Sequence, residues 1–346
     1  MTVVFRLEAG GPVGFGHLSR ALALAAWIAE PGAAVFWLGW PDADAERLVR
    51  AANHPLLVGG PFVPGRVPEA SVVIHDLTHG GSLTRQRDIA TELDAFGAGA
   101  VDRILIDGLG DLRLVTAPDF PIDGLVVPYA GGEHIDGARF RQWIGPAHAI
   151  FPPDLINRAD RLRGLDRTGP DTRLLVTAGG SDPHGISLRV LDALPLVGRR
   201  METRLVIGPG FQPATRSELT ARAHGAGIDL VDGAAGLLDH LAWASIVVAA
   251  TGLTKYELAL TGIPSVQLSV DDAHARANEA FAALGSATHL GVVDRVTAAD
   301  IALAIRRLVD DPPLRERQSN AGKKAISGEG AAQLLQAIGV APRARQ

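Results

Sequence analysis

Short β-branched apolar runs alternate with helical patterns along most of this chain, and that alternation limits the fold more than any other feature. TVVFRL (2–7) leads to HLSRALALAAWIAE (17–30), AAVFWLGW (33–40) to DADAERLVRAA (42–52), and SVVIHDL (71–77) to SLTRQRDIATELDAFG (82–97), before DRILIDGL (102–109). Strands joined by helices of this length pair in parallel through crossovers, which places helices on the faces of a mostly parallel sheet. From Phe151 the text changes to FPPDLINRADRLRGLDRTGPDTR (151–173), rich in Pro, Asp and Arg and without strand character, as an inter-domain connection would be. A second series then runs RLLVTAGG (173–180), GISLRVLDALPLV (185–197), METRLVIGPG (201–210), TRSELTARAHGAG (215–227), IDLVDGA (228–234), GLLDHLAWA (236–244), SIVVAATG (245–252), TKYELALTG (254–262), IPSVQLSV (263–270) and ARANEAFAALG (275–285).

The expected fold class is α/β, with two Rossmann-like lobes facing a cleft. A length of 346 residues, more than one core usually organises, agrees with two domains. The expected bounds are 1–150 for an N-terminal lobe, 151–172 for a linker, and 173–346 for a C-terminal lobe with terminal helices. Those terminal patterns, AADIALAIRRLVDD (298–311), LRERQSNAGKKA (314–325) and GAAQLLQAIG (330–339), could cap the second lobe or cross back to the first.

A formal charge of −5 gives no global basic field, so nucleic acid and anionic membranes are poor partners. The absence of cysteine removes disulfides, thiolate nucleophiles and cysteine metal sites, and fits a cytoplasmic protein. No basic leader opens the chain and no run reaches the roughly 20 apolar residues of a membrane span. A soluble, cytoplasmic protein is expected, with no set oligomeric state.

In a doubly wound sheet, ligands gather beyond the carboxyl ends of the strands. EAGGPVGFGH (8–17) is such a turn. Gly14 and Gly16 permit tight backbone geometry there, yet the spacing is not a dinucleotide fingerprint and no Walker lysine follows. His17 at the helix start can be a proton acceptor, or equally a cap or a supporting hydrogen-bond donor. Arg20, one turn on, can bind an anion or pair with Glu8 or another acid. Asp76 and His79 in VVIHDLTHGG, and Asp107 in ILIDGLGD, end adjacent strands and could line the cleft, although Asp107 is also a turn former and His75 reads as a core residue. A metal on His75, Asp76 and His79 matches no strong ligand spacing, so neither a metal nor a cofactor is expected.

In the second lobe, Thr177, Gly179, Gly180 and Ser181 fall where a strand gives way to a helix and could hold a diphosphate without lysine. The turn is equally an ordinary cap, with Ser181 or Asp182 as N-cap and Pro183 at the first helical position. Gly208 repeats the arrangement in IGPG. In AATGLTKYELALTGIPSVQLS (249–269), Thr251 and Gly252 make a turn, Leu253 and Thr254 open a helix, and Glu257 follows. Its carboxylate could accept from both hydroxyls of a ribose, or serve as a helix-dipole partner or a salt bridge to Lys255.

Taken in order, the pattern GxGHxxR ending at Arg20, GGSDP (179–183), IGPG (207–210) and TGLTKYELALTGIP (251–264) resemble one family. The chain resembles the PseG-type nucleotide-sugar hydrolases of pseudaminic acid biosynthesis, with the SpsG-like spore-coat proteins and, more distantly, the MurG glycosyltransferases. The resemblance spans most of residues 3–285 and implies a glycosyltransferase-B fold with a UDP-sugar held mainly by the C-terminal lobe. By position, His17 matches the family's general base, Gly14 and Gly16 its cleft-lining loop, Gly179, Gly180 and Ser181 its diphosphate loop, and Glu257 its ribose-binding glutamate. WIGPAHAIFPPDL (143–155) is similar to the family's passage before the linker. The resemblance implies metal-independent hydrolysis, in which the base activates water to attack the anomeric carbon and expel UDP.

Several positions depart from the family's pattern. Leu253 and Lys255 replace small residues near the phosphates, Ala273 and His274 replace an Asn-Gln pair expected to contact the sugar, and the tyrosine expected after Asp76 is absent from DLTH. The family match makes a UDP-sugar hydrolase of surface-glycan or nonulosonic acid biosynthesis the leading expectation, and the lost amide and tyrosine weigh against it. A glycosyltransferase using an acceptor hydroxyl is the alternative, and a non-catalytic nucleotide-sugar-binding protein the third possibility.

Overall fold

A computed structural model describes residues 1–10, 13–67, 70–77, 82–97, 101–107, 120–233 and 237–344. The chain divides into two compact units, one formed by residues 1–157 with 328–346, the other by 158–327.

The first unit holds a parallel sheet with, among the described residues, seven strands: β1 (Thr2–Leu7), β2 (Ala34–Leu38), β3 (Leu56–Val58), β4 (Ala70–Asp76), β5 (Asp102–Ile106), β6 (Gly124–Val127) and β7 (Arg141–Ile144). Their order is β3-β2-β1-β4-β5-β6-β7. Residues 3–7 and the whole of β2 are buried, as apolar strands covered on both faces should be. Phe5 stacks on Phe36 with ring centroids 5.1 Å apart, and Val4, Val35, Trp37, Phe62, Val73 and Phe96 fill one face. Helices α1 (Gly16–Ala25), α2 (Ala43–Ala51) and α3 (Leu83–Asp94) follow β1, β2 and β4 in sequence, and α4 (Pro153–Arg163) leaves the unit.

The second unit repeats the plan with β8 (Arg173–Thr177), β9 (Glu202–Ile207), β10 (Asp229–Asp232), β11 (Ile246–Ala250), β12 (Ser265–Ser269) and β13 (Ala287–Val292), in the order β10-β9-β8-β11-β12-β13. Its helices are α5 (Ile186–Val197), α6 (Pro213–Ala226), α7 (Leu238–Trp243), α8 (Thr254–Thr261), α9 (Asp272–Ala282), α10 (Ala298–Asp310) and α11 (Pro312–Ala325). One core joins Leu174 and Val176 of β8, Val190 of α5, Val266 of β12 and Ile301 and Ile305 of α10. In each unit the chain order reverses between two central strands, β1 and β4 or β8 and β11. Such a switch point opens a crevice at the strands' carboxyl ends.

Two details differ from the sequence expectation. Half of the stretch read as a linker is helix α4, and the boundary between the units falls within that helix, after Asn157. The terminal helical patterns also part company. The first two, α10 and α11, stay with the second unit, whereas α12 (Gly330–Ala337) belongs to the first. A Cβ on Gly330 would lie 2.5 Å from the carbonyl oxygen of Ala149, so α12 seats against the turn after β7 through a bare backbone. Arg141 Nη1 caps that helix by donating to the carbonyl of Ala337 at 2.6 Å.

Candidate active site

In the first unit, Leu7 of β1 lies beside Asp76 of β4 at the switch point. The chain leaving β1 turns at once. Gly10, with φ +78°, closes a bridge to Gly14 (N to O, 2.8 Å), and a Cβ there would collide with the Asp42 carboxylate. Gly14, also at positive φ, and Gly16, the first residue of α1, bring the helix into place. Leu18, Ala21 and Ala25, spaced i, i+3 and i+7, bury the helix's inner face.

That orientation carries His17 and Arg20 to the end of β4. His17 Nδ1 lies 2.6 Å from Asp76 Oδ1, while Arg20 grips both carboxylate oxygens, with Nε to Oδ2 at 2.7 Å and Nη2 to Oδ1 at 2.5 Å. The helix's N-cap position, Phe15, carries no side-chain cap, so His17 is committed to Asp76 rather than to capping. A carboxylate so close accepts a hydrogen bond from Nδ1–H, which places the basic lone pair on Nε2. Arg20 Nη2 approaches the same Nδ1 at 3.3 Å, a contact between two donors that share Asp76 as acceptor. Burial pushes the Asp76 carboxyl upward, but the charge of Arg20 and the pairing with His17 outweigh it and hold it at about 2. The Tyr129 ring, which follows β6, lies 5.6 Å from the Arg20 guanidinium.

Alternation along β4 sends His75 to the opposite face from Asp76, so the two cannot share a metal. His75 is fully buried; its Nε2 meets Glu92 Oε2 at 3.2 Å, and Arg6 completes that cluster with bonds of 3.1 and 3.0 Å. Glu8 pairs with Arg85, not with Arg20. Asp107 is buried at the end of β5. His79 lies outside the described residues. Among the described residues no three His, Asp or Glu side chains are grouped as metal ligands would be.

In the second unit, β8 and β11 run side by side with Thr177 opposite Ala249, which brings the Gly179–Ser181 turn and the Thr251–Thr254 turn to one edge. Thr177 itself is buried. Asp182, at φ +44°, folds back to accept from the amides of Ile186 (2.7 Å) and Ser187 (2.9 Å). The open end of α5 is thus already filled by a carboxylate, and Pro183 precedes the helix instead of starting it. Gly180 accepts from the Gly210 amide at 2.8 Å, and a Cβ on Gly208 would lie 2.4 Å from the Gly180 carbonyl. Gly208 is explained by this close packing of two loops. The amides of Gly179, Gly180 and Ser181 donate to no other group among the described residues.

Past β11, Thr251 donates to Ser269 Oγ (3.2 Å), which meets His289 Nε2 at 2.9 Å. Gly252 is exposed, Leu253 and Thr254 are half-buried, and Glu257 lies in the first turns of α8. Its carboxylate makes no hydrogen bond or ion pair among the described residues, and burial pushes it up to about 7. Lys255 does not pair with it. The Lys255 side chain is buried and donates to Asn278 Oδ1 at 3.0 Å, with the Tyr256 and Phe281 rings 5.2 and 5.3 Å from Nζ; burial lowers its pKa to about 8. His274 turns onto its own helix cap, Nδ1 2.8 Å from Asp271 Oδ1.

The structure thus gathers His17, Arg20 and Asp76 in the first unit, and the two glycine- and threonine-bearing turns with Glu257 in the second. Two contributors escaped the sequence reading. Tyr129 is one of only two tyrosines in the chain, and that rarity was its available signal. The Lys255–Asn278 pair joins residues 23 apart through a side chain that reads as solvent-facing.

Two switch-point sheets of this order, each with its candidate residues at the carboxyl edge, define a fold of the glycosyltransferase-B class. Among solved structures, Acinetobacter baumannii MurG matches with a TM-score of 0.66 at 14% identity, covering 98% of this chain and 99% of that one. A UDP-glucosyltransferase from Polygonum tinctorium matches at 0.62 with 13% identity, covering 98% of each chain. The spinosyn rhamnosyltransferase SpnG complexed with thymidine diphosphate also matches at 0.62 and 13%, covering 97% of this chain and 100% of its own. In sequence the chain is similar to an SpsG protein and to a MurG-type transferase. It is 26% identical over 333 residues to the spore coat polysaccharide biosynthesis protein SpsG of Bacillus subtilis, covering 93% of each chain. It is also 27% identical over 356 residues to the UDP-N-acetylglucosamine–N-acetylmuramyl-(pentapeptide) pyrophosphoryl-undecaprenol N-acetylglucosamine transferase of Alkalilimnicola ehrlichii, covering 93% of this chain and 94% of the relative. No family model matches the chain. Among the described residues no helix is long and apolar enough to cross a membrane.

Proposed function

We propose that this protein is a nucleotide-sugar-using enzyme that moves a sugar from a nucleoside diphosphate to an acceptor hydroxyl. The observation that carries the proposal is the 2.6 Å contact between His17 Nδ1 and a buried Asp76 carboxylate held by Arg20. This is the arrangement a general base needs, because the carboxylate fixes the ring and stabilises the imidazolium that forms on proton uptake. His17 Nε2 takes the proton of the acceptor hydroxyl, whose oxygen bonds to the anomeric carbon. The bond from that carbon to the diphosphate oxygen breaks, and its electron pair leaves with the nucleotide.

The second unit serves the leaving group. Glu257 accepts from the ribose hydroxyls, and the unused amides of Gly179–Ser181 with the Thr251–Thr254 turn hold the diphosphate. Because Asp182 occupies the end of α5, the amides of the glycine turn itself, and the α8 end, carry this role. UDP is the leading nucleotide, with thymidine diphosphate second, since relatives of this fold are named for both.

Hydrolysis, with water as acceptor, uses the same residues, and the names of the two sequence relatives favour polysaccharide assembly and sugar transfer over it. A mass-spectrometric turnover assay with a panel of UDP-sugars, with and without glycan acceptors, separates the two. Transfer requires a glycosylated product that appears only with acceptor and is lost in His17→Ala. Free sugar and UDP released without acceptor make the enzyme a hydrolase, and a fully active His17→Ala removes the base assignment.

A further inference from the structure

We infer that Arg20 is a positioning residue that sets the tautomer of His17 by keeping Asp76 an ionised, acceptor-only carboxylate. The inference rests on the proposed role of His17 as base and goes beyond it. Asp76 is 2% exposed, and an isolated carboxyl at such a depth takes up a proton near neutral pH. A protonated carboxyl becomes a donor. Its O–H would then be directed at Nδ1, which would have to accept, and the ring's own proton would move to Nε2, the atom that must take one from the acceptor.

Arg20 prevents this. A guanidinium has donors only, and its Nε and Nη2 span both oxygens of Asp76 at 2.7 and 2.5 Å. Each oxygen spends a lone pair on that fork, and Oδ1 keeps another for His17 Nδ1–H at 2.6 Å. Arg20 is itself 4% exposed, with the Tyr129 ring beside it, so the fork has little freedom to swing away. The charged groups that act on Asp76, among the described residues, are Arg20 and His17 of α1; Arg6 of the neighbouring strand β1 is in register with His75 and pairs with Glu92, and Asp107 comes one residue after the Ile106 that lies beside Asp76.

The test pairs turnover across pH with 15N NMR of histidine-labelled full-length protein, in wild type, Arg20→Gln, Arg20→Lys and Asp76→Asn. Arg20→Gln should lower turnover at pH 7 by about a hundredfold or more and move the His17 proton from Nδ1 to Nε2. It should then recover at least about tenfold by pH 9, as Asp76 ionises unaided. Asp76→Asn, with nothing to ionise, should show no recovery. Arg20→Lys retains the charge and should keep the Nδ1–H tautomer. The inference is overturned if Arg20→Gln keeps Nδ1–H at pH 7 or loses activity equally at every pH. If Arg20→Gln does not fold, Arg20→Lys carries the test, and an Nε2–H tautomer there overturns it. A wild type without His17-dependent turnover would remove the base assignment, while the NMR tautomer still tests Arg20.

Discussion

The two switch points treat their charges in opposite ways. In the first unit, Asp76 is surrounded by partners that hold it at about 2, whereas in the second, Glu257 has no partner among the described residues and is pushed to about 7. The buried Lys255 donates to a neutral amide and lies beside two aromatic rings, with no acid paired to it among the described residues. A cluster that closes on itself is preorganised before any ligand arrives. An acid left without a donor gains most from a donor that comes from outside, which under the proposed function is a ribose hydroxyl.

The contrast can be broken most directly at Asp76. Asp76→Asn leaves the Arg20 guanidinium buried without a counter-charge and should lower unfolding free energy by about 3 kcal/mol in urea titrations. A loss below about 1 kcal/mol would mean that the cluster is not the closed unit described.

The next effect is one of sign with pH. Asp76 and Glu92 both sit at about 2 when folded, below their unfolded values near 4, so their contribution is complete above about pH 4 and disappears as pH falls towards 2. Glu257 runs the other way. Its folded value of about 7 exceeds the unfolded value near 4.3, so stability falls as pH rises between them. Glu257→Gln should therefore unfold at higher urea than wild type at pH 8 and equally at pH 4. The same variant should bind UDP about tenfold more weakly by calorimetry, one hydrogen-bonded pair's worth of affinity. An unchanged Kd would take the ribose role from Glu257.

The smallest effect belongs to His274. It pairs with Asp271 at an exposed helix start, so His274→Ala should change stability by no more than about 0.5 kcal/mol. A larger loss of turnover than of stability would give it a part in sugar recognition.

Much of this architecture is readable in the sequence because central parallel strands are continuous apolar runs. TVVFRL, AVFWL and SIVVAA announce themselves; β3, β6, β7 and β13 do not. β3 has only three residues, β6 has four and opens on glycine, and β7 at the sheet edge begins with the polar pair Arg141 and Gln142. Helix α4 was hidden by its paired prolines and charges, although Leu155, Ile156, Ala159 and Leu162 fall on one buried face. His17 was visible from its glycine turn. Its bond to Asp76, 59 residues away, was not, because it depends on β1 and β4 becoming neighbours. Nor does a lysine in a helix's first turn signal that it points inward, as Lys255 does.

The return of α12 to the first unit bears on the order in which the protein is made. Residues 158–327 hold the whole second unit in one continuous stretch, so its contacts are all available once Ser327 has been synthesised. The first unit begins at Met1 yet waits through that entire interval for Gly330 to reach the backbone of Ala149 and for the Ala341 carbonyl to accept from the Ala29 amide at 3.2 Å. On the ribosome, the half that carries the histidine is started first and finished last.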